Sequence, residues 1–271
     1  MSQFCDQLGI IGGGVMAEAI LSRLLSQEIC SPEQVQVSDV SKERLEDLIS
    51  AYQIQGFTDN NAVASNSQVL LLAIKPQIFA KVAAPLASSI PADCLVLSIL
   101  AGVTLAALEK AFPGSPVVRV MPNTPATVGA GMAAITAGNH ANQTHLDLAH
   151  QFFSAVGQAV TVPESLMDAV TGLSGSGPAY VALVLEALTD GGVSVGLPRP
   201  IAAQLALQTL LGTAKLVDET GLHPALLKDQ VTSPGGTTIA GVAALEQAGL
   251  RSALIKAVQA AYHRSCELGQ G

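Results

Sequence analysis

Over roughly the first 160 residues, short β-branched and aliphatic runs alternate with stretches in which apolar positions return every three or four residues. Leu8 to Ile11, Val35 to Val37, Val69 to Ile74, Leu95 to Ile99 and Val117 to Val120 have the length and composition of strands. Between them, Met16, Ile20, Leu21 and Leu24 recur at helical spacing, as do Leu45, Leu48, Ile49 and Tyr52 behind a helix cap at Ser41. Beyond Val160 the strand signals stop. The remainder is Ala- and Leu-rich with helical periodicity, punctuated at Gly172–Pro178, Gly196–Pro200, Gly221–Pro224 and Ser233–Gly236. Pro178 fits the first turn of a helix capped by Ser176, where its missing N–H is no loss. The pattern predicts an α/β half with a parallel sheet covered by helices, then an all-α half, with the boundary near Pro163 (residues 1–163 and 164–271).

The alternation is of the Rossmann type, and the first strand runs straight into Gly12-Gly13-Gly14-Val15-Met16-Ala17, a G-x-G-x-x-A segment that opens a helix. In that arrangement Gly12 permits the tight turn, Gly14 lets the backbone approach a pyrophosphate, and Ala17 lets helix and strand pack closely, while the helix N-terminus faces the negative charge. Asp39 follows the second strand, 25 residues after Gly14, where an acid would suit the ribose 2′-OH of NADH. Ser38, Ser41 and Lys42 could equally hold a 2′-phosphate, so both NADH and NADPH remain candidate cofactors.

Composition adds a constraint on assembly. With 49% hydrophobic residues, 13% charged residues and a mean hydropathy of +0.44, the chain carries more apolar material than a monomer of 271 residues usually buries. The longest candidate span, Cys94 to Leu108, is interrupted by Ser98, Gly102 and Thr104 and is shorter than the roughly 18 to 20 apolar residues a bilayer needs. The excess therefore points to a subunit interface, not a membrane. The N-terminus, Met1 to Gln7, has no basic region followed by an apolar run, and the four cysteines, Cys5, Cys30, Cys94 and Cys266, are scattered, as isolated reduced thiols in a cytoplasmic protein would be. A formal charge of -8 without a Lys or Arg cluster argues against a nucleic-acid-binding face. His140, His145, His150, His223 and His263 have no metal-ligand spacing and read as surface or capping residues.

Several segments carry a resemblance to one family: Ala73-Ile74-Lys75-Pro76-Gln77, Ser98-Ile99-Leu100-Ala101-Gly102, Arg119-Val120-Met121-Pro122-Asn123-Thr124-Pro125, Gly172-Leu173-Ser174-Gly175-Ser176-Gly177-Pro178-Ala179-Tyr180, and Asp229 to Thr238. Together they span essentially the whole chain, which resembles the pyrroline-5-carboxylate reductases. The resemblance implies NAD(P)H-dependent reduction of 1-pyrroline-5-carboxylate to L-proline by a homo-oligomer built on dimers, in the family a decamer of five dimers. It assigns Asn60, Ala73, Lys75, Pro76 and Ala101 to the dinucleotide beside Gly12, Gly14, Met16, Ala17, Ser38 and Asp39, and puts Asn123 near the nicotinamide. It further implies that Ser233 and the N–H groups of Gly236 and Thr237 bind the substrate carboxylate, and that Thr238 hydrogen-bonds the ring nitrogen. Read as residues alone, Lys75 could be an exposed cation, Asn60 and Asn123 turn formers, and Ser233 or Thr237 an ordinary helix cap. Where many relatives have Asn-Arg after the second strand, this chain has Asp39-Val40, which removes the fork-shaped partner best suited to a 2′-phosphate.

Two other readings start from the same residues. A β-hydroxyacid dehydrogenase shares the two-domain plan but needs a general base, for which Lys215 is the candidate. A non-catalytic redox sensor would keep the glycine loop and have no use for Ser233 to Thr238.

Overall fold

A computed structural model of the chain describes residues 6–269, so Cys5 and the first residues of the N-terminal segment lie outside it. Two compact units make up the described chain: residues 6–175 with 261–269, and Ser176–Ala260.

In the first unit β1 (Leu8–Ile11), α1 (Val15–Ser26), β2 (Val35–Ser38), α2 (Lys42–Tyr52), β3 (Gln55–Phe57), α3 (Asn60–Ala64), β4 (Val69–Leu72), α4 (Phe79–Leu86), β5 (Leu95–Ser98), α5 (Leu105–Ala111) and β6 (Val117–Met121) alternate. They are followed by β7 (Gly131–Ala137), α6 (Gln143–Ser154), β8 (Gly157–Thr161) and α7 (Met167–Val170). Among the described residues eight strands form one sheet in the order β3-β2-β1-β4-β5-β6-β7-β8. Both faces are buried: Leu8, Ile10, Val69 and Leu71 join one apolar layer, while Ile11, Leu70 and Leu72 join the other. That alternation is the two-residue period of a strand covered on both sides, which is why these runs read as continuously hydrophobic. Ser41 caps α2 as expected, accepting the N–H of Arg44 at 3.2 Å.

The sheet is mixed, which corrects the all-parallel expectation: β7 runs antiparallel to β6 and parallel to β8. Its sequence, Gly-Met-Ala-Ala-Ile-Thr-Ala, lacks a β-branched run because small residues are required there. A Cβ on Gly131 would meet Ala126 at 2.9 Å, and one on Gly157, in the facing strand, would meet the Gly131 carbonyl at 2.0 Å. β3 escaped notice for a similar reason, since its Gly56 makes room for Ile49 of α2. β4 stops at Leu72 and β5 at Ser98, one or two residues short of expectation, leaving Ala73–Ile74 and Ile99 to begin the loops at the sheet's carboxyl edge.

The first compact unit continues past Pro163. Glu164 accepts the N–H of Leu105 at 2.6 Å and pairs with Arg119, a buried cation on β6, at 3.1 Å. Met167 is fully buried, and Asp168 accepts hydrogen bonds from Ser265 (2.7 Å) and from the Cys266 thiol. A π-helical turn, Thr171–Gly175, leads into the second unit. Ser176 does occupy the N-cap position of the next helix, with Pro178 in the first turn, but its side chain makes no capping bond; it is itself helical (φ -85°, ψ -19°), because the chain arrives already coiled.

The second unit contains α8 (Gly177–Ser194), α9 (Arg199–Thr220), α10 (Pro224–Gln230), α11 (Thr237–Gln247) and the start of α12 (Leu250–Gly269). α8 and α9 pack side by side, with Thr189, Ala202 and Ala206 buried between small neighbours. Their outer faces are apolar and open: Val181, Leu183, Leu205, Leu207 and Leu211 are each more than half exposed. Because these side chains are already part-buried, leaving them so forgoes about 1–2 kcal/mol each that a covering surface would recover. A second copy of the same helices would cover it. Light scattering at micromolar concentration is expected to give a dimer or a multiple of one, and a monodisperse, active species of 27.6 kDa would contradict this.

Candidate active site

The order of the sheet reverses between β1 and β4, so the loops after those strands diverge and leave a crevice at their carboxyl ends. The glycine loop sits there. Gly12 has a φ of 98°, its N–H bonds to the Ser38 carbonyl at 2.8 Å, and an added Cβ would lie 2.7 Å from the Ala73 oxygen. Gly14 is the N-cap of α1; it is exposed, and an added Cβ would meet nothing within 4 Å. Ala17 is buried against the strand and Met16 is partly buried at the first turn. An open backbone at a helix N-terminus, with its first N–H groups free of side-chain caps, fits a diphosphate.

Gly13, to which the motif assigns no role, is the one of the three glycines that side chains hold on both its N–H and its carbonyl. It is buried over Leu48 of α2, which a Cβ would meet at 2.8 Å. Its N–H donates to Asp39 Oδ2 at 2.8 Å, and its carbonyl accepts from Arg44 Nε at 2.6 Å. Arg44 also pairs with Glu18, whose other oxygen accepts the Tyr52 hydroxyl at 3.1 Å. The hydrogen bond from Arg44 holds the Glu18 carboxyl below the usual carboxylate range, with burial opposing and Tyr52 assisting. A depressed carboxyl stabilises the fold at neutral pH, and that contribution is lost as the pH falls through its folded value. The sequence reading missed Arg44 and Glu18. Their positions, three residues after the Ser41 cap and in the first turn of α1, carried the available signal.

Asp39 lies at the carboxyl end of β2, as expected for a ribose-binding acid, and it also organises the loop. Its Oδ1 accepts the N–H of Ser41 at 2.9 Å while Oδ2 holds Gly13. Ser38 is fully buried and donates to Asn60 Oδ1 at 2.8 Å, so it orients Asn60 and does not itself meet solvent. Ala73, Lys75 and Pro76 follow β4; Lys75 is exposed and precedes a short 3-10 turn, Pro76–Ile78. Pro76 and Ala101 line one cavity of about 610 Å³ at the same edge, with Phe79, Thr104 and Leu268 on its walls. Asn123 is tied at both ends: its Oδ1 accepts the N–H of Met132 (2.8 Å) and its Nδ2 donates to the Ser174 carbonyl (3.1 Å). It therefore joins the start of β7 to the π-helical turn, which gives it a structural duty the resemblance did not state.

The segment expected to bind the substrate carboxylate, Ser233 to Thr238, lies in the second unit. Gly235 has a φ of 66°, and Gly236, the N-cap of α11, donates its own N–H back to the Ser233 carbonyl at 3.1 Å. That corrects one expected donor, because the Gly236 N–H closes a turn. The N–H of Thr237 starts the helix, no side chain caps it, and the hydroxyls of Ser233, Thr237 and Thr238 make no hydrogen bond within the described residues. The plain capping role considered for Ser233 or Thr237 is therefore not the one they have. A Cβ on Gly236 would fall 2.3 Å from Ser233 Oγ, so a side chain there would force the Ser233 hydroxyl to turn away. Lys215, the alternative general base, is an exposed residue of α9 paired with Glu219 at 3.5 Å. Two histidines do cap helices, His145 at α6 and His223 at α10. Burial pushes the Cys30 thiol up to about 11.

A family model described as pyrroline-5-carboxylate reductase dimerisation matches residues 164–268, and one described as NADP oxidoreductase, coenzyme F420-dependent, matches residues 7–102. The chain is 59% identical over 264 residues to a pyrroline-5-carboxylate reductase of Synechocystis sp., covering 97% of this chain and 98% of that protein. It is similar in structure to a pyrroline-5-carboxylate reductase from Coxiella burnetii (36% identity, TM-score 0.90, 97% and 98% of the two chains covered). A pyrroline carboxylate reductase from Plasmodium falciparum, with NADP bound, is similar at 30% identity with a TM-score of 0.89, covering 99% and 100% of the two chains.

The sequence leads one to expect the Asp39 carboxylate at the ribose end of the dinucleotide, and a substitution there tests that expectation. Asp39→Asn should shift the ratio of kcat/KM toward NADPH over NADH by about fivefold, the effect of roughly 1 kcal/mol of repulsion between exposed charges. Both affinities should fall somewhat, because an amide keeps only one of the two acceptors that hold Gly13 and Ser41. A ratio that does not move means that the carboxylate serves the loop alone.

Proposed function

The chain belongs to the pyrroline-5-carboxylate reductase family, and on that premise we propose how its residues carry out the NAD(P)H-dependent reduction of 1-pyrroline-5-carboxylate to L-proline. NADPH or NADH is held by Gly12, Gly14, Met16 and Ala17 at the pyrophosphate, by Asp39 and by Asn60, which the buried Ser38 orients, and by Ala73, Lys75, Pro76 and Ala101, with Asn123 near the nicotinamide. When bound, the nicotinamide supplies the hydride. Ser233 and the N–H of Thr237 bind the substrate carboxylate, and Thr238 donates its hydroxyl to the ring nitrogen. The observation that carries the substrate assignment is the uncapped start of α11, where three hydroxyl groups stand free beside a helix N-terminus.

Reduction of a C=N bond asks little acid–base work of the protein. The imine carbon takes hydride, the nitrogen takes a proton that comes from solvent water, and a donor fixed at nitrogen stabilises the charge that develops there. A strong acid such as histidine is unnecessary. Residues 1–163 serve the dinucleotide, and residues 164–271 serve dimerisation and the substrate; the matched dimerisation segment supports this division. The open apolar faces of α8 and α9 support a homo-oligomer, which we take to be five dimers by resemblance to the family. The enzyme works in the cytoplasm, a reading that fits its dispersed thiols; among the described residues no helix is long and apolar enough to cross a membrane.

A steady-state assay with pyrroline-5-carboxylate, run with each dinucleotide, tests the activity, and turnover of 3-hydroxy acids in its place would overturn it. Thr238→Val keeps the β-branched shape and removes only the donor. A hydrogen bond to a charged group contributes about 1.5–3 kcal/mol, so kcat/KM should fall by about 10- to 150-fold with dinucleotide affinity unchanged. Thr238→Ser should retain most activity. Parental turnover and substrate affinity in Thr238→Val would transfer the role to Ser233 or a bound water.

A further inference from the structure

Three consecutive glycines, Gly12 to Gly14, form the loop assigned above to the dinucleotide, and such a run is the most flexible stretch a chain can offer. Left to itself, each of its peptide groups would flip among several orientations, and a ligand would have to order them on binding. The structure holds the middle residue from both sides. Asp39 Oδ2 takes the Gly13 N–H and Arg44 Nε donates to the Gly13 carbonyl, with Arg44 anchored in turn by Glu18, and Glu18 by the Tyr52 hydroxyl. None of this is needed to join α1 to α2, whose residues Ile20, Leu21, Leu24, Leu45 and Leu48 already share one buried layer.

The Arg44 bond has a directional consequence. In a trans peptide the C=O and the next N–H point in opposite directions, so a Gly13 carbonyl fastened to Arg44 turns the Gly14 N–H away from it. That N–H belongs to an exposed residue with open space about its Cα, at the uncapped start of α1. We propose that Arg44 is a positioning residue for the pyrophosphate: through the Gly13 carbonyl it locks the Gly13–Gly14 peptide with its N–H preset toward the ligand, and Glu18 keeps Arg44 in place. This rests on the reading that the loop binds NAD(P)H. It makes Arg44 a residue that favours both dinucleotides equally, acting on the group they share.

Calorimetric titration of the full-length protein with NADH, NADPH, ADP and 2′-AMP, together with thermal melting, tests this. Arg44→Met keeps the packing of the stem and removes the guanidinium. It should weaken NADH, NADPH and ADP alike by about tenfold, the loss of one pre-set charge-assisted hydrogen bond, while 2′-AMP, which lacks a diphosphate, is bound as before. Arg44→Lys, which can reach the carbonyl or Glu18 but not both, should recover part of the affinity. Glu18→Gln, which leaves Arg44 present but loosely anchored, should weaken the same three ligands by less; it also serves if Arg44→Met does not fold. Weakened NADPH and 2′-AMP with unchanged NADH would mean that Arg44 meets the 2′-phosphate directly, and would overturn the proposal. A lowered melting temperature with unchanged affinities would reduce Arg44 to a staple between helices. Failure of the unmodified protein to bind either dinucleotide would instead sink the cofactor reading on which the proposal rests.

Discussion

The first unit depends on the space at the end of its central strand. β1 is paired in parallel on both sides, to β2 and to β4, so at Ile11 the chain must leave the sheet between two neighbours already in place. It does so at Gly12, whose N–H reaches the Ser38 carbonyl on one side and whose Cα lies so close to the Ala73 carbonyl on the other that no Cβ fits. A left-handed φ at that point is available to glycine at little cost and to other residues at roughly 1–2 kcal/mol before any clash. Because the turn is tight, α1 starts immediately, its N-terminus opens over the crevice where the strand order reverses, and the ends of β2, β3 and β4 fall around it. The cluster of Asp39, Ser38 and Asn60 follows from the same geometry.

The second unit is organised by a different constraint. Its helices are long and rich in Ala and Leu, with little difference between faces, and a single copy buries few of their side chains. Helices of this kind are stabilised by surfaces from elsewhere. The segment that binds the carboxylate in our assignment therefore belongs to a unit whose stability and whose assembly are one question. Its local geometry is nonetheless self-contained: Gly235 takes the left-handed turn, Gly236 returns its N–H to Ser233, and α11 begins at Thr237 with its hydroxyls free.

Much of this was legible in the residues. Leu8 to Ile11 followed by three glycines read correctly as a strand, a turn and a helix start, the Ser41 cap fell where expected, and β2 ends one residue later than expected, at Ser38. What escaped has physical reasons. β7 is mostly Gly and Ala, and β8 opens on Gly157, because the two strands approach each other closely at Gly131 and Gly157, and small residues carry little strand signal. The Gly236 N–H looked free because a sequence does not reveal a turn that closes on its own preceding carbonyl. The bridge that the Asn123 amide makes between Met132 and Ser174 escaped because those partners are 9 and 51 residues away. Arg44 was hidden for the same reason, since its partners Gly13 and Glu18 lie on the far side of a strand and a loop.

The central claim is that this chain delivers hydride from a nicotinamide dinucleotide to the carbon of a cyclic imine. Turnover with dinucleotide carrying deuterium at both C4 positions of the reduced nicotinamide, followed by mass and proton spectra of the product, tests it most directly. The account predicts proline carrying one deuterium, on the ring carbon next to nitrogen that does not bear the carboxylate. Proline without label, or label on any other carbon, would contradict it.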